Sequence, residues 1–499
     1  MSLNPKWVPM KWPCGPREIA RVNEFSSGDA ELRNSAEGWA KPEHLQMLRG
    51  TPVNCLVVDW ATGSAEDKPQ QLSLRPLIEA GRHLGISFVG RISTKQNFAA
   101  AVAAGREAGL EAVIVNGPAS ESADLPMIVA LPRDQIDWSR TGPIFIASGG
   151  VWAGTNLKPT DENMDGDTAV AGPTSNPWVE SNSWFSLLAR TMAPGRVLWM
   201  DIDPPDSPAT LAAEHYCLAV ADTRACGSRW IVSLDNRMRA ALLKKESGAM
   251  DGWARISETL SFFEAHSDWD AYAPMGVLGV VSDFGRDNAF TTEEVLNLLD
   301  RRQVQFAVID RKKPLPDLEE WVKGILWLDE EAPTPEQQLQ LLAFLRRGGQ
   351  VIAAKYWGPS EVKPSKQDWL YGYSLYNLPE GRIAVADGGF PDPYQLARDT
   401  HLLVGRKDDF VRMYNPGATK YYSSIDHQRR TQVIHVLNYS TEAADYVTLW
   451  ANARAQAARL WLPKPFTSPP VEQAPHSEGT SFDLPPLSVN CAVEIRRVV

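Results

Sequence analysis

Between residues 50 and 236 the chain repeats one pattern: a short, continuous run of apolar and β-branched residues, then a helix-like segment or a polar loop. The runs are NCLVVDW (54–60), ISFVGRI (86–92), EAVIVNG (111–117), PMIVALP (126–132), PIFIASGG (143–150), RVLWMDID (196–203), YCLAVAD (216–222) and RWIVSLDN (229–236). None alternates cleanly between apolar and polar residues, which is how a strand reads when both faces are buried in a parallel sheet. Helix-like stretches at 74–85, 97–109 and 183–195 stand between them. Strand and helix in alternation build βα units, and eight such runs predict a (β/α)8 barrel, with a doubly wound open sheet as the alternative. The crossovers after the third and seventh runs are short for a helix, so the barrel is expected to be irregular, with 252–269 as its closing helix.

Two further blocks follow. From 273 to 394, strand-like segments at 277–283, 304–310, 324–330 and 350–355 alternate with helix-like ones at 291–303 and 334–349. The second helix has Thr334 placed to cap it, Pro335 at its first position, Glu336 in its first turn, and Arg346, Arg347, Gly348 and Gly349 at its end. This pattern predicts a small doubly wound, flavodoxin-like α/β domain. It lacks a GxGxxG or Walker A sequence and has no cysteine at a strand end, which argues against dinucleotide binding, NTP hydrolysis and cysteine-dependent amide transfer there. From 395 to 499, alternating segments at 431–440, 445–452, 457–463 and 488–498 are separated by Pro-rich turns and predict an antiparallel β-sandwich. The expected division is therefore 1–272, 273–394 and 395–499.

The net charge of −11 and the lack of any basic run argue against a nucleic-acid partner. No apolar stretch reaches the roughly 18 residues of a membrane span. Five scattered cysteines make neither a disulfide framework nor a zinc site. The first twenty residues lack the apolar core of a signal peptide, so a secreted or periplasmic location would need a leader ahead of Met1; the sequence otherwise assigns no compartment. The 18 tryptophans outnumber the 15 phenylalanines and 12 tyrosines. Trp60, Trp152, Trp178 and Trp184 fall in loop-like contexts, where an indole could offer a flat apolar face and an N–H to a sugar ring.

The domain order, together with FLRRGGQVIAA (344–354) and FDLPPLSVNCAVEI (482–495), resembles the three-domain β-galactosidase type of glycoside hydrolase. AGPTSNPWVESNSW (171–184) is similar to bacterial glycosidase-like proteins. The resemblance implies a TIM-like catalytic barrel that cleaves O-glycosidic bonds with paired carboxylates, carbohydrate as the partner, no required cofactor, and a homo-oligomer formed through the middle domain. That family carries glutamates at the ends of its fourth and seventh barrel strands. Here the fourth and seventh runs end ALPRD (130–134) and VADTR (220–224), without a glutamate, so the pair is not carried over.

A site must then be argued from strand ends, because parallel α/β folds bind ligands at the C-terminal edge. Asp59, Trp60, Arg91, Asn116, Asp201, Asp203, Asp222 and Asp235 all stand there. Side chains two apart on a strand share a face, so Trp199, Asp201 and Asp203 are expected to face the barrel axis. Two neighbouring carboxylates repel, and one holds its proton more strongly. Asp203 is the expected catalytic acid/base, with Asp201 tuning it or binding a hydroxyl. Glu180 is the expected second catalytic carboxylate, with Trp178, Asn182 and Trp184 beside it in sequence; Asp59, Asp222 and Asp235 are reserves. Asp59, Trp60, Arg91, Asn116, Trp152, Trp178, Asn182, Asp201, Asp222 and Asp235 are the expected substrate contacts. Each acid also has a structural reading, since Asp203 could start the turn at Pro204 and Glu180 could cap the next helix. Asp161, Asn163 and Asp165 open like a calcium loop, but the twelfth position is Gly172, and a solvated loop is expected over a calcium site. The rivals to a glycosidase are a non-catalytic carbohydrate-binding protein on the same scaffold and a metal-assisted hydrolase.

Overall fold

The computed structural model describes the chain except residues 1–2, 26–29, 95–96, 118–123, 157–177, 206–210, 286–287, 367–369, 464–470, 477 and 499. The chain divides into two compact units. One comprises Met1–Ala153, Ala193–His266 and Pro463–Pro465; the other comprises Gly154–Met192, Ser267–Leu462 and Phe466–Val499.

The first unit is built on eight strands: β1 (Pro9–Lys11), β2 (Cys55–Ala61), β3 (Ser87–Ile92), β4 (Ala112–Asn116), β5 (Met127–Pro132), β6 (Ile144–Ser148), β7 (Val197–Asp201) and β8 (Arg229–Trp230). They pair in chain order, all parallel. A parallel bridge between Met10 and Val232 closes the sheet. There the Lys11 N–H donates to the Val232 carbonyl at 2.8 Å and the Val232 N–H to the Pro9 carbonyl at 2.9 Å. The predicted barrel is thus present. Its bore is filled by Trp7, Cys55, Val57, Val89, Ala112, Ile114, Ile128, Ala130, Ile144, Ile146, Trp199 and Ile231, one buried cluster drawn from alternate positions of the strands. Each large aliphatic side chain buried there is worth roughly 1.5–3 kcal/mol.

One expected strand is absent, and one strand stands where none was expected. YCLAVAD is not a strand: it lies in the helix Ala213–Arg224, in which every residue from Tyr216 to Arg224 is buried. A helix covered on all sides loses its polar stripe and reads as a continuous apolar run. The unexpected strand is β1, three residues long and beginning on a proline. Helices Asp67–His83 and Phe98–Ala108 follow β2 and β3 as expected. Between β5 and β6 the described chain makes only short 3-10 turns, at Arg133–Gln135 and Trp138–Arg140, so the barrel is irregular. Ser247–Ala265 is the long helix after β8 and packs on Ala213–Arg224.

The second unit contains two kinds of sheet. Five parallel strands take the spatial order Phe306–Asp310, Leu278–Ser282, Gly324–Trp327, Gln350–Ala353, Arg382–Ala386, and Tyr373–Asn377 and Pro364–Ser365 extend the edge antiparallel. The parallel part has the 2-1-3-4-5 order of a flavodoxin-like sheet. Helix Pro335–Arg346 begins with the expected cap: Thr334 Oγ accepts from the Gln337 N–H at 3.3 Å while Gln337 returns a bond to the Thr334 N–H at 3.0 Å. A five-stranded and a four-stranded antiparallel sheet, mostly from residues 411–497, are the expected sandwich strands. Helix Pro393–Val404 packs on helix Ala289–Arg301 of the flavodoxin-like part. Residues 154–192 lie between β6 and β7 in sequence yet cluster with the second unit, where helix Ser183–Met192 packs on Ala289–Arg301 and Phe306–Asp310.

Candidate functional site at the barrel mouth

The alternation that fills the bore continues upward into polar residues. Two positions beyond Val57, Val89, Ile114, Ile146, Trp199 and Ile231 stand Asp59, Arg91, Asn116, Ser148, Asp201 and Ser233. A parallel barrel places all of these at one end, its C-terminal mouth. Lys11 joins them from the end of β1.

The centre of this layer is an ion cluster. Arg91 Nη2 lies 2.8 Å from Asp201 Oδ2, and Lys11 Nζ lies 2.5 Å from Asp201 Oδ1. In an eight-stranded ring β3 and β7 are four strands apart in either direction, so the Arg91–Asp201 pair spans the bore. It caps the apolar core beneath it and forms the floor of the mouth. Asp201 is 10% exposed. Above it, Asp203 is 66% exposed; its Oδ1 accepts from Lys11 Nζ at 2.6 Å and from Ser233 Oγ at 2.7 Å. One ammonium therefore touches both carboxylates, which bounds their nearest oxygens at about 5 Å apart. Partial burial pushes the Asp203 pKa up, but the Lys11 charge, the hydrogen bonds from Lys11 and Ser233, and Arg91 outweigh it and hold the carboxyl below its usual value. At Asp203 the shift runs opposite to the rise that repulsion between two carboxylates would give, because the intervening ammonium favours the charged form. Asp59 is exposed at the end of β2 and, with Asp201 and Asp203, raises the pKa of Arg91 against the desolvation that opposes it.

A second cluster stands nearby in the same unit. Glu18 is bound by Arg21 at 2.8 Å and by buried Arg239 at 2.6 Å, which ties helix Gly15–Phe25 to helix Asn236–Leu243. Burial works against the Glu18 anion, and the two arginines overcome it to lower its pKa.

Not all of the expected contacts belong to this layer of barrel strand ends. Trp60 is fully buried on the outer face of β2, and its Nε1 donates to the Ala101 carbonyl at 2.9 Å, so it has no surface to offer a sugar. Asp222 is fully buried within helix Ala213–Arg224 rather than at a strand end. Asp235 is a helix cap: Oδ1 accepts from the Arg237 and Met238 N–H groups, and Oδ2 from the Tyr216 hydroxyl. Trp152 is half-buried, edge-on to Tyr216 and Trp230. Asn116 is exposed at the end of β4. Glu180 belongs to the second unit, where Arg301 Nη2 lies 2.6 Å from its carboxylate. Asn182 and Trp184 are buried in that unit. Trp178 ends the same short strand as Glu180 at its other end. Asp161, Asn163 and Asp165 lie outside the described residues. Among the described residues no group of three His, Cys, Asp or Glu has metal-holding geometry, and no helix is long and apolar enough to cross a membrane.

Ser233 was within reach of sequence reasoning, since it follows Ile231 by two. Lys11 was not, because its strand is too short to register as one.

The sequence matches no protein-family profile and no curated protein. Among solved structures the chain is similar to α-L-fucosidase isoenzyme 2 from Paenibacillus thiaminolyticus, with a TM-score of 0.60 and 10% identity over 99% of this chain and 100% of that one. It is also similar to a GH27 β-L-arabinopyranosidase from Geobacillus stearothermophilus in complex with arabinose, at a TM-score of 0.38 and 9% identity over 99% and 98% of the two chains. At 10% identity the likeness to the fucosidase structure speaks for the fold, and a fold alone does not fix a reaction. The fold is glycosidase-like: a closed parallel barrel, a doubly wound sheet and antiparallel sheets.

Proposed function

We propose that this protein binds a sugar at the C-terminal mouth of the barrel and hydrolyses a glycosidic bond there. The observation that carries this reading is the polar layer above the bore, in which the exposed Asp203 is held as an anion over a floor made by Asp201, Arg91 and Lys11. An anionic carboxylate can attack an anomeric carbon or take a proton from water; it cannot donate one. Asp203 is accordingly assigned as the nucleophile or base, and Asp201 as the group that positions Lys11 and Arg91. Asp59, exposed on β2, is a third carboxylate of the mouth. The full-length likeness to an α-L-fucosidase makes α-L-fucosides the first substrates to try.

The test is release of 4-nitrophenol from 4-nitrophenyl α-L-fucoside and a panel of other aryl glycosides, with and without EDTA, for wild type and Asp203→Asn. Turnover that survives chelator and is lost in the variant supports the assignment. Turnover unchanged by Asp203→Asn overturns it. A second reading, sugar binding without hydrolysis, is favoured by one observation: Lys11 engages both Asp201 and Asp203. Calorimetric binding of L-fucose without turnover of any glycoside would select that reading.

A further inference from the structure

Within the second unit, the loop Pro316–Trp321, the last turns of helix Pro335–Arg346, the hairpin-turn residue Arg429 and the strand-end residues Arg497 and Val498 surround an open groove of about 730 Å³. That volume lies in the range of roughly 300–1,000 Å³ used for small-molecule sites. Trp321 lines it with a partly exposed indole. Both signs of charge line it too. Glu319 and Arg429 pair at 2.5 Å. Asp317, Glu320 and Arg497 bring charged groups that form no ion pair with described residues, and Arg347 Nη2 donates to the Leu318 carbonyl at 3.2 Å.

The chemistry of this lining selects a ligand class. Three carboxylates oppose a polyanion, and three guanidinium groups oppose a polycation. A neutral polyol suits both, because each hydroxyl donates to a carboxylate and accepts from an arginine. The apolar face of a pyranose ring suits the flat indole, whose N–H adds a donor at its rim. A groove with these three elements offers a saccharide stacking, donors and acceptors together. We propose that it is a second carbohydrate site, taking a neutral oligosaccharide and holding it without hydrolysis. The inference rests on this lining alone and stands or falls independently of the barrel mouth.

The test uses full-length protein labelled with ¹⁵N at the tryptophan indoles, the Trp321 signal being assigned by its loss in Trp321→Phe. Cellohexaose, xylohexaose, maltohexaose and 2′-fucosyllactose are titrated as neutral probes, with trigalacturonate and a chitosan hexamer as charged comparators. At least one neutral probe is expected to shift the Trp321 signal in a saturable way. Glu320→Ala and Arg497→Ala, both near the surface and expected to fold, should weaken that response about tenfold. The proposal is overturned if no neutral probe moves the Trp321 signal at millimolar concentration, if only a charged comparator moves it, or if both variants respond as wild type does.

Discussion

Asp203 carries the most chemistry of any single residue in the first unit, and its setting fixes what it can do. Lys11 and Ser233 hold it ionised against partial burial, so its pKa lies below the ordinary aspartate value of about 3.9. Asp203→Asn is expected to lower turnover about 10²–10⁴-fold, the range for a lost acid/base group, with an unchanged circular dichroism spectrum because the side chain is mostly exposed. Lys11→Met makes a sharper case. Removing the ammonium raises the Asp203 pKa, and a reaction that needs the anion then fails at a higher pH on its acid side. The acid limb of the kcat/KM profile should move up in Lys11→Met; an unmoved limb would remove Lys11 from control of Asp203. The same depression has a sign for stability: Asp203 favours the folded state above the ordinary aspartate pKa, and that contribution disappears as pH falls through its folded value. The period of two along RVLWMDID made the inward face of Trp199 and the position of the two acids above it legible. It could not reveal the ammonium between them, which arrives from a strand 192 residues earlier.

At the level of elements, buried charge and buried helices were the hardest features to read. Glu18 and Arg239 lie 221 residues apart, are each 4% exposed, and join two helices of the first unit. Nothing local in GPREIA or NRMRAALL announces that meeting. Glu18→Gln leaves the Arg239 guanidinium buried without its counter-charge, a change that costs about 3–5 kcal/mol where one partner of a buried pair is lost. Thermal unfolding at pH 7 should show it as a lowered Tm. Because the arginines depress the Glu18 pKa, its stabilisation is present above the ordinary glutamate value of about 4.3 and is lost as pH falls below that. The gap between wild type and Glu18→Gln should therefore narrow in acid; a constant gap would mean that the Glu18 charge contributes nothing. The helix Pro335–Arg346 was legible for the opposite reason: its Thr334–Gln337 cap is local, and local hydrogen bonds are written in adjacent residues. The segment 216–222 failed because full burial erases periodicity, and a short apolar run then fits a strand and a helix equally well.

For the molecule as a whole, the order barrel, doubly wound sheet and antiparallel sheets was readable because each layer type has its own hydrophobic rhythm. The place of helix Ser183–Met192 was not, since long-range packing on Ala289–Arg301 and Phe306–Asp310 joins it to the second unit. The strand that closes the predicted barrel was equally hidden, and it is a modest one of three residues. β1 pairs with β2 on one side and meets Val232 on the other, while Trp7 and Met10 are buried at 3% and 0% exposure. Removing residues 1–11 would take away Lys11, leave two open parallel edges and withdraw Trp7 from the bore, where its Nε1 donates to Ser87 Oγ at 3.0 Å. Exposed strand edges of this kind pair with other chains. The truncated protein is expected to aggregate or to be cut rapidly within 50–150 by a dilute protease, whereas the full chain resists cleavage in β2–β6. Met10→Asp tests the same closure without shortening the chain, because an unpaired carboxylate at that fully buried position opposes the Met10–Val232 bridge. If both proteins kept the thermal stability and protease resistance of the full-length form, the closing strand would be dispensable, and the Lys11 link between the two mouth carboxylates would lose its structural basis.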